Sequence, residues 1–258
     1  MLASDLAEAG ITGPDSVFEG DFGFFNTHLT PIDGVLDFAA GSARLGEHWY
    51  LPETAYKPYP CCQLLHAFIE AAKNLLVEFR RDGVSVSDIG SISCQLAEPG
   101  LTLVTQPVVR KKAPQTPHEG RFSLYYGVAA ALIDGDVTLA TFAPDRLKDP
   151  QILKLAALVE ASEDSESDYP AHCPAILEVH ARGKTYRSHV RFHPGSPEAP
   201  LLYDDVLDKF ARNSAWLLGD TARNVGAEIA AMPHTSATRK VAERIARPDS
   251  KTLAHGAR

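Results

Sequence analysis

A lysine, two adjacent cysteines and a histidine fall within ten residues of one another, in the stretch AYKPYPCCQLLH at residues 55–66. Pro58 and Pro60 restrict the residues before them to extended backbone, so Lys57 lies on a stiff segment just ahead of a predicted helix. A helix N-terminus carries partial positive charge, which favours a bound anion or a lysine of lowered pKa. The spacing is compatible with an anion site, although by spacing alone a surface lysine in a proline loop is the commoner case.

The neighbouring side chains extend this hypothesis. Cys61 and Cys62 begin the helix, where a thiolate is stabilised, although buried inert thiols are the commoner case. His66 lies about 120° around the helix from the centre of its apolar stripe, which predicts a side chain that faces a cleft or water. In RFSLYYGVAAAL, Tyr126 is predicted from pattern alone to be a core tyrosine with a bonded hydroxyl, and Tyr125 is its nearest competitor.

Hydrophobic periodicity and turn residues predict the elements that position these groups. Asp149 is a predicted N-cap with Pro150 at the first helical position. The predicted helices are residues 64–79, 120–135, 148–160, 203–218, 221–232 and 236–248. The predicted strands are residues 89–97 and 101–109, around a turn at 98–100, and a hairpin over 175–192 that turns at Gly183. The acidic stretch 160–168 is predicted to be a solvated loop.

Composition narrows the classes of function. The 258 residues carry a net charge of −8, which argues against nucleic-acid binding, and Arg110-Lys111-Lys112 is interpreted as a solvated loop. The four cysteines show neither a CxxC pair nor zinc-ligand spacing. No apolar run approaches the ~18–20 residues that cross a bilayer. Because the N-terminus also lacks signal-peptide features, we expect a reduced, cytoplasmic protein.

The pattern of elements predicts an α+β fold. Residues 52–198 mix helices with strands, whereas the residues on both sides read as helical, which indicates a smaller domain inserted into a helical one. We therefore expect three segments: 1–51, 52–198 and 199–258. Motifs of serine hydrolases, nucleotide-binding loops and zinc proteases do not occur, so composition and spacing by themselves do not reach a function.

Five stretches, in the same order along the chain, resemble the MmgE/PrpD family. KPYPCCQLLHAFIEA is similar to its K-x-Y-P-x-C-x-x-x-H-x-x-I-[DE]-A segment, and EGRFSLYYGVAAALIDGDV to its R-F-S-x-x-Y stretch. The other three are GITGPDSVFEGDFGFF, LGEHWYL and KDPQILKLAALV. The family includes 2-methylcitrate dehydratase, cis-aconitate decarboxylase and iminodisuccinate epimerase. The resemblance implies a helical domain interrupted at residues 52–198 by an α+β lid.

The resemblance also implies a chemistry: proton transfer next to a carboxylate on a small di- or tricarboxylate, without a cofactor or metal. Carried over by position, Lys57 would bind a carboxylate and Tyr126 would act as the acid. Cys62 and His66 would lie at the substrate, and Cys62 stands where the decarboxylase branch has a histidine. That departure favours dehydration or epimerisation over decarboxylation.

Family chains are longer than this sequence, so we expect a C-terminal portion that lacks part of the active site. A homo-oligomer, or association with the missing N-terminal half, is the expected assembly. The alternative is a non-catalytic remnant, or the partner-binding half of a split enzyme. Neither nucleic acid nor a membrane is an expected partner.

Overall fold

The computed structural model describes residues 2–14, 16–21, 23–28 and 43–232. The chain divides into two compact units, residues 1–51 and 52–258. The helices described in the smaller unit are α1 (Leu2–Glu8) and α2 (Phe24–His28). Its large apolar side chains are mostly exposed, so its described part buries little apolar surface.

The larger unit has an α+β fold, as the sequence predicts. Its described α-helices are α3 (His66–Asp82), α4 (Glu98–Thr105), α5 (Val108–Lys112), α6 (Pro117–Arg121), α7 (Leu124–Asp134), α8 (Pro150–Ala157), α9 (Tyr203–Leu218) and α10 (Ala222–Ala231). Its strands are β1 (Ile89–Leu96), β2 (Val159–Glu163), β3 (Ala175–Ala181) and β4 (Lys184–Val190). Short 3₁₀ turns lie at Gln63–Leu65, Val86–Asp88, Ala140–Phe142, Arg146–Lys148 and Gly219–Thr221.

Helices α3, α7 and α8 confirm three predictions, and local chemistry sets their ends. Gly83 ends α3 in the left-handed conformation, with φ of 67°. The Ser123 hydroxyl accepts the backbone N–H of Tyr126 at 3.0 Å and so caps α7. Asp149 caps α8 as predicted, with Pro150 at its first turn. These signals need only neighbours in sequence, so sequence reasoning finds them.

The four strands form one mixed sheet in the order β2-β1-β3-β4. Central β1 pairs in parallel with β2 and antiparallel with β3. Strands β3 and β4 form the predicted hairpin. Arg182 and Gly183 both have positive φ, 51° and 75°, the geometry of a two-residue turn that matches the twist of a hairpin.

Two predictions at the sheet are wrong. Residues 98–109, predicted as a turn and a strand, form α4 and the start of α5, because both edges of β1 are already occupied by β2 and β3. Residues 160–163 of the predicted acidic loop instead continue β2, whose pairing with β1 reaches Glu163. In each case a pairing between distant residues overrides local propensity.

The core of the larger unit lies where α3 packs against β3, β4 and α7. The predicted helices 203–218 and 221–232 are confirmed as α9 and α10, which pack on one another. Gly226 permits that contact, because a Cβ there would approach Phe210 Cδ1 to 2.9 Å. The predicted helix 236–248 and the tail after it lie outside the described residues, and the boundary at residue 198 stays a prediction.

Candidate functional site

The Lys57 segment, defined as residues 56–62, is held to the fold at both ends. The backbone N–H of Tyr56 donates to the carbonyl of Gly195 at 2.7 Å, and that of Cys62 donates to the carbonyl of Arg121 at 2.9 Å. Gly195 has φ of +92°, and a Cβ there would overlap the carbonyl oxygen of Tyr56. Only glycine therefore lets this loop approach the segment so closely.

The Lys57 side chain is exposed, and within residues 43–232 no acidic side chain or hydrogen-bond acceptor engages its ammonium group. Its carbonyl accepts a hydrogen bond from Nζ of Lys209 on α9. Burial lowers the pKa of Lys209, and the nearby charges of Arg212 and Lys57 lower it further. Two lysines thus stand close together without a described carboxylate to neutralise them, which is an arrangement that attracts an anion.

The cysteines of the segment behave as buried thiols. Cys61 and Cys62 are both buried, and all four cysteines are free. Burial, together with the neighbouring Cys62, raises the pKa of Cys61 to about 12, although the charge of Lys57 opposes the shift. Cys61 is therefore a protonated thiol at neutral pH, which favours the inert interpretation over the thiolate.

His66 is a core residue, so the prediction that it faces a cleft or water is wrong. Its exposure is 0%, and among the described residues neither ring nitrogen has a hydrogen-bond partner. Burial, with a smaller contribution from His193, lowers its pKa to about 3. The rings of Tyr59 and His193 cover this side of α3, with centroids 5.5 Å and 5.3 Å from that of His66, and spacing along the sequence does not show such tertiary contacts.

His193 is a neighbour that sequence reasoning missed. Its ring meets that of His66 edge to face, with centroids 5.3 Å apart. A carbonyl only accepts, so the Nδ1 of His193 donates to the carbonyl of Pro194 at 2.9 Å. Its Nε2 is then the acceptor for the Gln63 amide at 3.2 Å. His193 lies in a Gly/Pro-rich loop without periodicity, so no signal in the sequence points to it.

Tyr126 lies in the core, away from solvent. Its exposure is 0%, and its hydroxyl faces the carbonyls of Thr141 at 2.8 Å and Arg146 at 3.0 Å. Burial raises its pKa to about 12. This geometry is that of the core tyrosine with a bonded hydroxyl which the apolar pattern predicts. The acid role implied by the family resemblance stays a prediction, and it requires the carbonyl contacts to open.

A cavity of about 650 Å³ borders the Lys57 segment on the side of Pro58 and Tyr59. Most of its charged groups neutralise one another. Lys73 Nζ contacts Glu70 at 3.1 Å and the Tyr59 hydroxyl at 2.9 Å, and that hydroxyl donates to Glu70. On the opposite wall, Arg212 pairs with Asp136 at 2.6 Å and Arg223 pairs with Asp208. Because these charges are paired with one another, they hold the elements around the cavity together and do not form an anion site.

The basic run at residues 110–112 belongs to α5 and is not the predicted solvated loop. Arg110 pairs with Glu119, and Lys112 Nζ contacts Glu160 at 2.7 Å. Lys111 Nζ donates to the carbonyls of Leu103 at 2.9 Å and Phe122 at 2.6 Å. These cations therefore tie α4, α6 and β2 together and do not form a phosphate patch.

A second polar cluster joins two loops beyond the sheet. Its centre is His172, whose Nδ1 faces Asp168 at 2.7 Å and whose Nε2 faces Glu198 at 3.1 Å. Arg191 also contacts Asp168, at 2.9 Å. These hydrogen bonds, that to Asp168 above all, raise the pKa of His172. Within the described ranges, no three His, Cys, Asp or Glu side chains are grouped as metal ligands. No helix in those ranges is long and apolar enough to cross a membrane.

Comparison with known proteins agrees with the family resemblance. The MmgE/PrpD C-terminal domain matches residues 59–233. This range includes Cys62, His66 and Tyr126 and begins two residues after Lys57.

Three relatives carry the name cis-aconitate decarboxylase. The Aspergillus terreus protein is 26% identical over 236 residues, covering 86% of this chain and 47% of the relative. The Mus musculus protein is 25% identical, covering 84% of this chain and 44% of the relative, and the Homo sapiens protein is 27% identical, covering 86% and 45%. The chain thus spans about half the length of the curated relatives it matches.

Proposed function

The chain belongs to the MmgE/PrpD family, and we propose that it supplies the lid side of a lyase or isomerase acting on a small di- or tricarboxylate. The observation that carries the proposal is the Lys57 ammonium group, which is exposed and has no partner in residues 43–232, on a segment fixed at both ends. The family acts on carboxylates, and Lys57 stands at the lysine position of the family motif with its charge unneutralised. Both points support the same conclusion. The division into a lid at 52–198 and a helical domain around it is part of this proposal.

The proposed chemistry is removal of a proton next to a carboxylate, followed by loss of a neighbouring group or return of the proton to the other face. Negative charge develops on the carboxylate as the proton leaves. Lys57 would stabilise this charge and hold the substrate in place, and Lys209 would add to the positive field. The proposal uses no cofactor.

The type of reaction is the finer part of the proposal. Relatives of this chain are named for decarboxylation of cis-aconitate. Cys62 stands where the decarboxylase branch of the family has a histidine, and its thiol is a poor substitute for an imidazole in proton transfer. We therefore propose dehydration or epimerisation in preference to decarboxylation. Tyr126 as the acid belongs to the same proposal, with its carbonyl contacts opening during the reaction.

Proton NMR in D₂O tests the function directly. The purified chain is mixed in turn with cis-aconitate, a citrate-like substrate and an aspartate-like substrate. Exchange or loss of a substrate proton is the expected result, and the substrate that reacts identifies the class. The matched control for a Lys57→Met variant is Lys148→Met, because Lys148 is also exposed and lies far along the chain at a 3₁₀ turn. A folded protein that leaves every substrate proton unchanged would contradict the proposal that the chain is active by itself.

A second candidate function is that of a partner-binding portion, and the exposed apolar residues of α9 favour it. Leu202, Tyr203 and Trp216 are 72%, 57% and 65% exposed. Leu202 lies just before α9, Tyr203 is its first residue and Trp216 lies in its last turn, and we propose that another chain covers this stretch. We propose a second copy of this chain as the partner. Light scattering after size exclusion should show a mass above 27.9 kDa that Trp216→Lys lowers; a stable wild-type monomer would contradict it.

A further inference from the structure

His172 joins two loops through both nitrogens of its ring. Its Nδ1 lies 2.7 Å from a carboxylate oxygen of Asp168, and its Nε2 lies 3.1 Å from one of Glu198. An ionised carboxylate only accepts, and a neutral imidazole has a single N–H. Both contacts are therefore hydrogen bonds only when the ring is protonated, so the charge on His172 decides whether the two loops are joined.

The surroundings of His172 favour the charged ring. Asp168 also contacts Arg191 at 2.9 Å, and this bond is the main reason why the pKa of Asp168 is lowered. A bond from its own backbone N–H is the main reason for the lowered pKa of Glu198. The Phe192 ring meets the imidazole edge to face, with centroids 4.8 Å apart. His172 also lines a cavity of about 350 Å³, whose other ionisable side chains are Glu53, Cys173, Arg191, His193 and Glu198. Two ionised carboxylates on one imidazole stabilise its positive charge.

Glu198 belongs to a closed turn, residues 195–199. The backbone N–H of Gly195 donates to the carbonyl of Ala199 at 2.8 Å, and that of Ala199 donates to the carbonyl of Ser196 at 3.1 Å. The hydroxyl of Ser196 also accepts from the N–H of Ala199, at 3.2 Å. These bonds hold the turn together as one unit, so a bond to Glu198 restrains Gly195 as well.

Gly195 connects this turn to the Lys57 segment. Its carbonyl accepts the backbone N–H of Tyr56, the residue before Lys57, at 2.7 Å. The two backbones pass so close that a Cβ on Gly195 would overlap the carbonyl oxygen of Tyr56. The hydrogen bond opposes movement of the segment away from the turn, and the close contact opposes movement towards it. The position of the Lys57 backbone therefore depends on the position of the turn.

We propose that His172 is a positioning residue for Lys57: its charged ring holds Glu198, and the turn that carries Glu198 holds the Lys57 segment through Gly195. The inference rests on the proposed function, in which Lys57 binds a carboxylate, and it makes that binding depend on pH. The bonds to Asp168 and then Glu198 raise the pKa of His172 above 6.5. The turn is therefore held at pH 6 and is released as the pH rises through the folded pKa.

Hydrogen exchange followed by NMR tests the inference, because the Tyr56 amide reports on its bond to Gly195 and the Cys62 amide reports on the opposite anchor of the segment. At pH 6, His172→Gln should lower the protection factor of the Tyr56 amide about fivefold, since a charged hydrogen bond is lost. The protection factor of the Cys62 amide should stay within about twofold of the wild type, because Arg121 still binds it.

The wild type should show a similar loss of Tyr56 protection between pH 6 and pH 8.5, after correction for the intrinsic exchange rate, and His172→Gln should not. The matched control is His180→Gln, because the His180 ring bonds the Thr185 hydroxyl next to the turn of the β3–β4 hairpin. That variant should keep the wild-type protection of Tyr56 at both pH values. A wild-type Tyr56 amide that is unprotected at pH 6, or whose protection is the same at both pH values, would overturn the inference.

A double substitution separates this coupling from a general loss of packing. Glu198→Gln should lower the protection of the Tyr56 amide as His172→Gln does, while its amide oxygen still accepts the bonds within the turn. The two substitutions together should have no more effect than either one, because both break the same bond. Additive effects would overturn the inference. If His172→Gln does not fold, Glu198→Gln and the pH dependence of the wild type decide.

The outcomes also distinguish this inference from the proposed function. If Tyr56 protection responds to His172→Gln and no polycarboxylate loses or exchanges a proton in D₂O, the positioning role stands and the enzymatic proposal fails. If a substrate reacts while Tyr56 protection ignores His172→Gln, the inference is overturned and the proposed function stands. If both hold, His172→Gln should raise KM at pH 6 several-fold more than it lowers kcat, because a displaced Lys57 binds the substrate carboxylate less well.

Discussion

The Lys57 segment and the surroundings of Tyr126 both carry family motifs, yet they treat their polar groups in opposite ways. Around Tyr126 the polar groups are paired: the Tyr126 hydroxyl faces two carbonyls, and Arg146 pairs with both Asp134 and Asp149. Around the Lys57 segment, the Lys57 ammonium and the Arg121 Nε have none among the described residues.

This difference shows that a family motif by itself does not distinguish residues that stabilise the fold from residues that bind a ligand. Polar groups that are paired within the fold have no donor or acceptor left for a ligand. An unpaired cation in a fixed position can still donate to one. The Arg121 Nε and the two ring nitrogens of His66 represent an intermediate case, because they have no partner among the described residues but are enclosed by protein. The predictions below test whether satisfaction of polar groups separates the two regions.

The largest effect is expected at Lys57. Lys57→Met should lower turnover of the responsive polycarboxylate about a hundredfold, since it removes a cation aimed at developing negative charge. The same change should leave the melting temperature within about 1 °C of the wild type, because the side chain is exposed and unpaired. Steady-state kinetics and a thermal melt measure the two effects, with Lys148→Met as control. A variant that is unstable yet fully active would reverse the comparison.

Tyr126→Phe should act mainly on stability. It removes the hydroxyl and leaves the carbonyls of Thr141 and Arg146 facing an apolar ring, at a cost of about 1–3 kcal/mol in the free energy of unfolding. Urea denaturation measures this, and Tyr203→Phe, an exposed position on α9, is the matched control. If Tyr126→Phe keeps its stability and loses turnover, Tyr126 belongs with Lys57 as the resemblance implies.

His66 should make the free energy of unfolding decrease as the pH falls below about 6.5. Its pKa falls from 6.5 unfolded to about 3 folded, first because it is buried and then because the charges of His193, Lys57 and Lys209 oppose a further positive charge. The unfolded chain therefore binds the extra proton first as pH falls below about 6.5. The stability that is present above that pH is lost progressively towards pH 3, by at most about 1.4 kcal/mol per unit.

Urea melts at pH 7.5 and pH 5.5 check this prediction, with His66→Leu as the comparison. The leucine variant fills a similar volume and should show a smaller loss of stability between the two pH values. Carboxylates also titrate in acid, so the difference between the proteins isolates His66 from that background. An equal loss in both proteins would show that the His66 ring takes up no proton on unfolding.

The smallest effect, with the opposite sign, is expected at His172. Its pKa is raised in the fold by Asp168 and then by Glu198. Its contribution to stability is fully present below the unfolded pKa of 6.5 and is lost as pH rises through the higher folded pKa. His172→Gln should remove a slight decline in melting temperature between pH 6 and pH 8.5. A larger decline in the variant would show that the ring is not charged in the fold.

Much of the fold could be predicted from particular residues. Asp149 before Pro150, Gly83 after an amphipathic run and Gly183 between two alternating segments each mark an element boundary through contacts only a few residues away. The strand assigned to 101–109 was wrong for the complementary reason. LTLVTQPVV has strand propensity, but the two edges of β1 are taken by strands from residues 159–163 and 175–181, and sequence spacing does not reveal that.

The sequence by itself determined the family, the fold class and the lysine on its stiff segment, because these depend on residue types and short spacings. The tertiary structure alone decided which polar groups are left without partners. Tyr126 finds its acceptors 15 and 20 residues away, and the Lys57 segment meets Arg121 and Lys209 from elsewhere in the chain. A hydrogen bond forms only when donor and acceptor lie within a few ångströms of each other, and the order of residues along the chain does not set that distance.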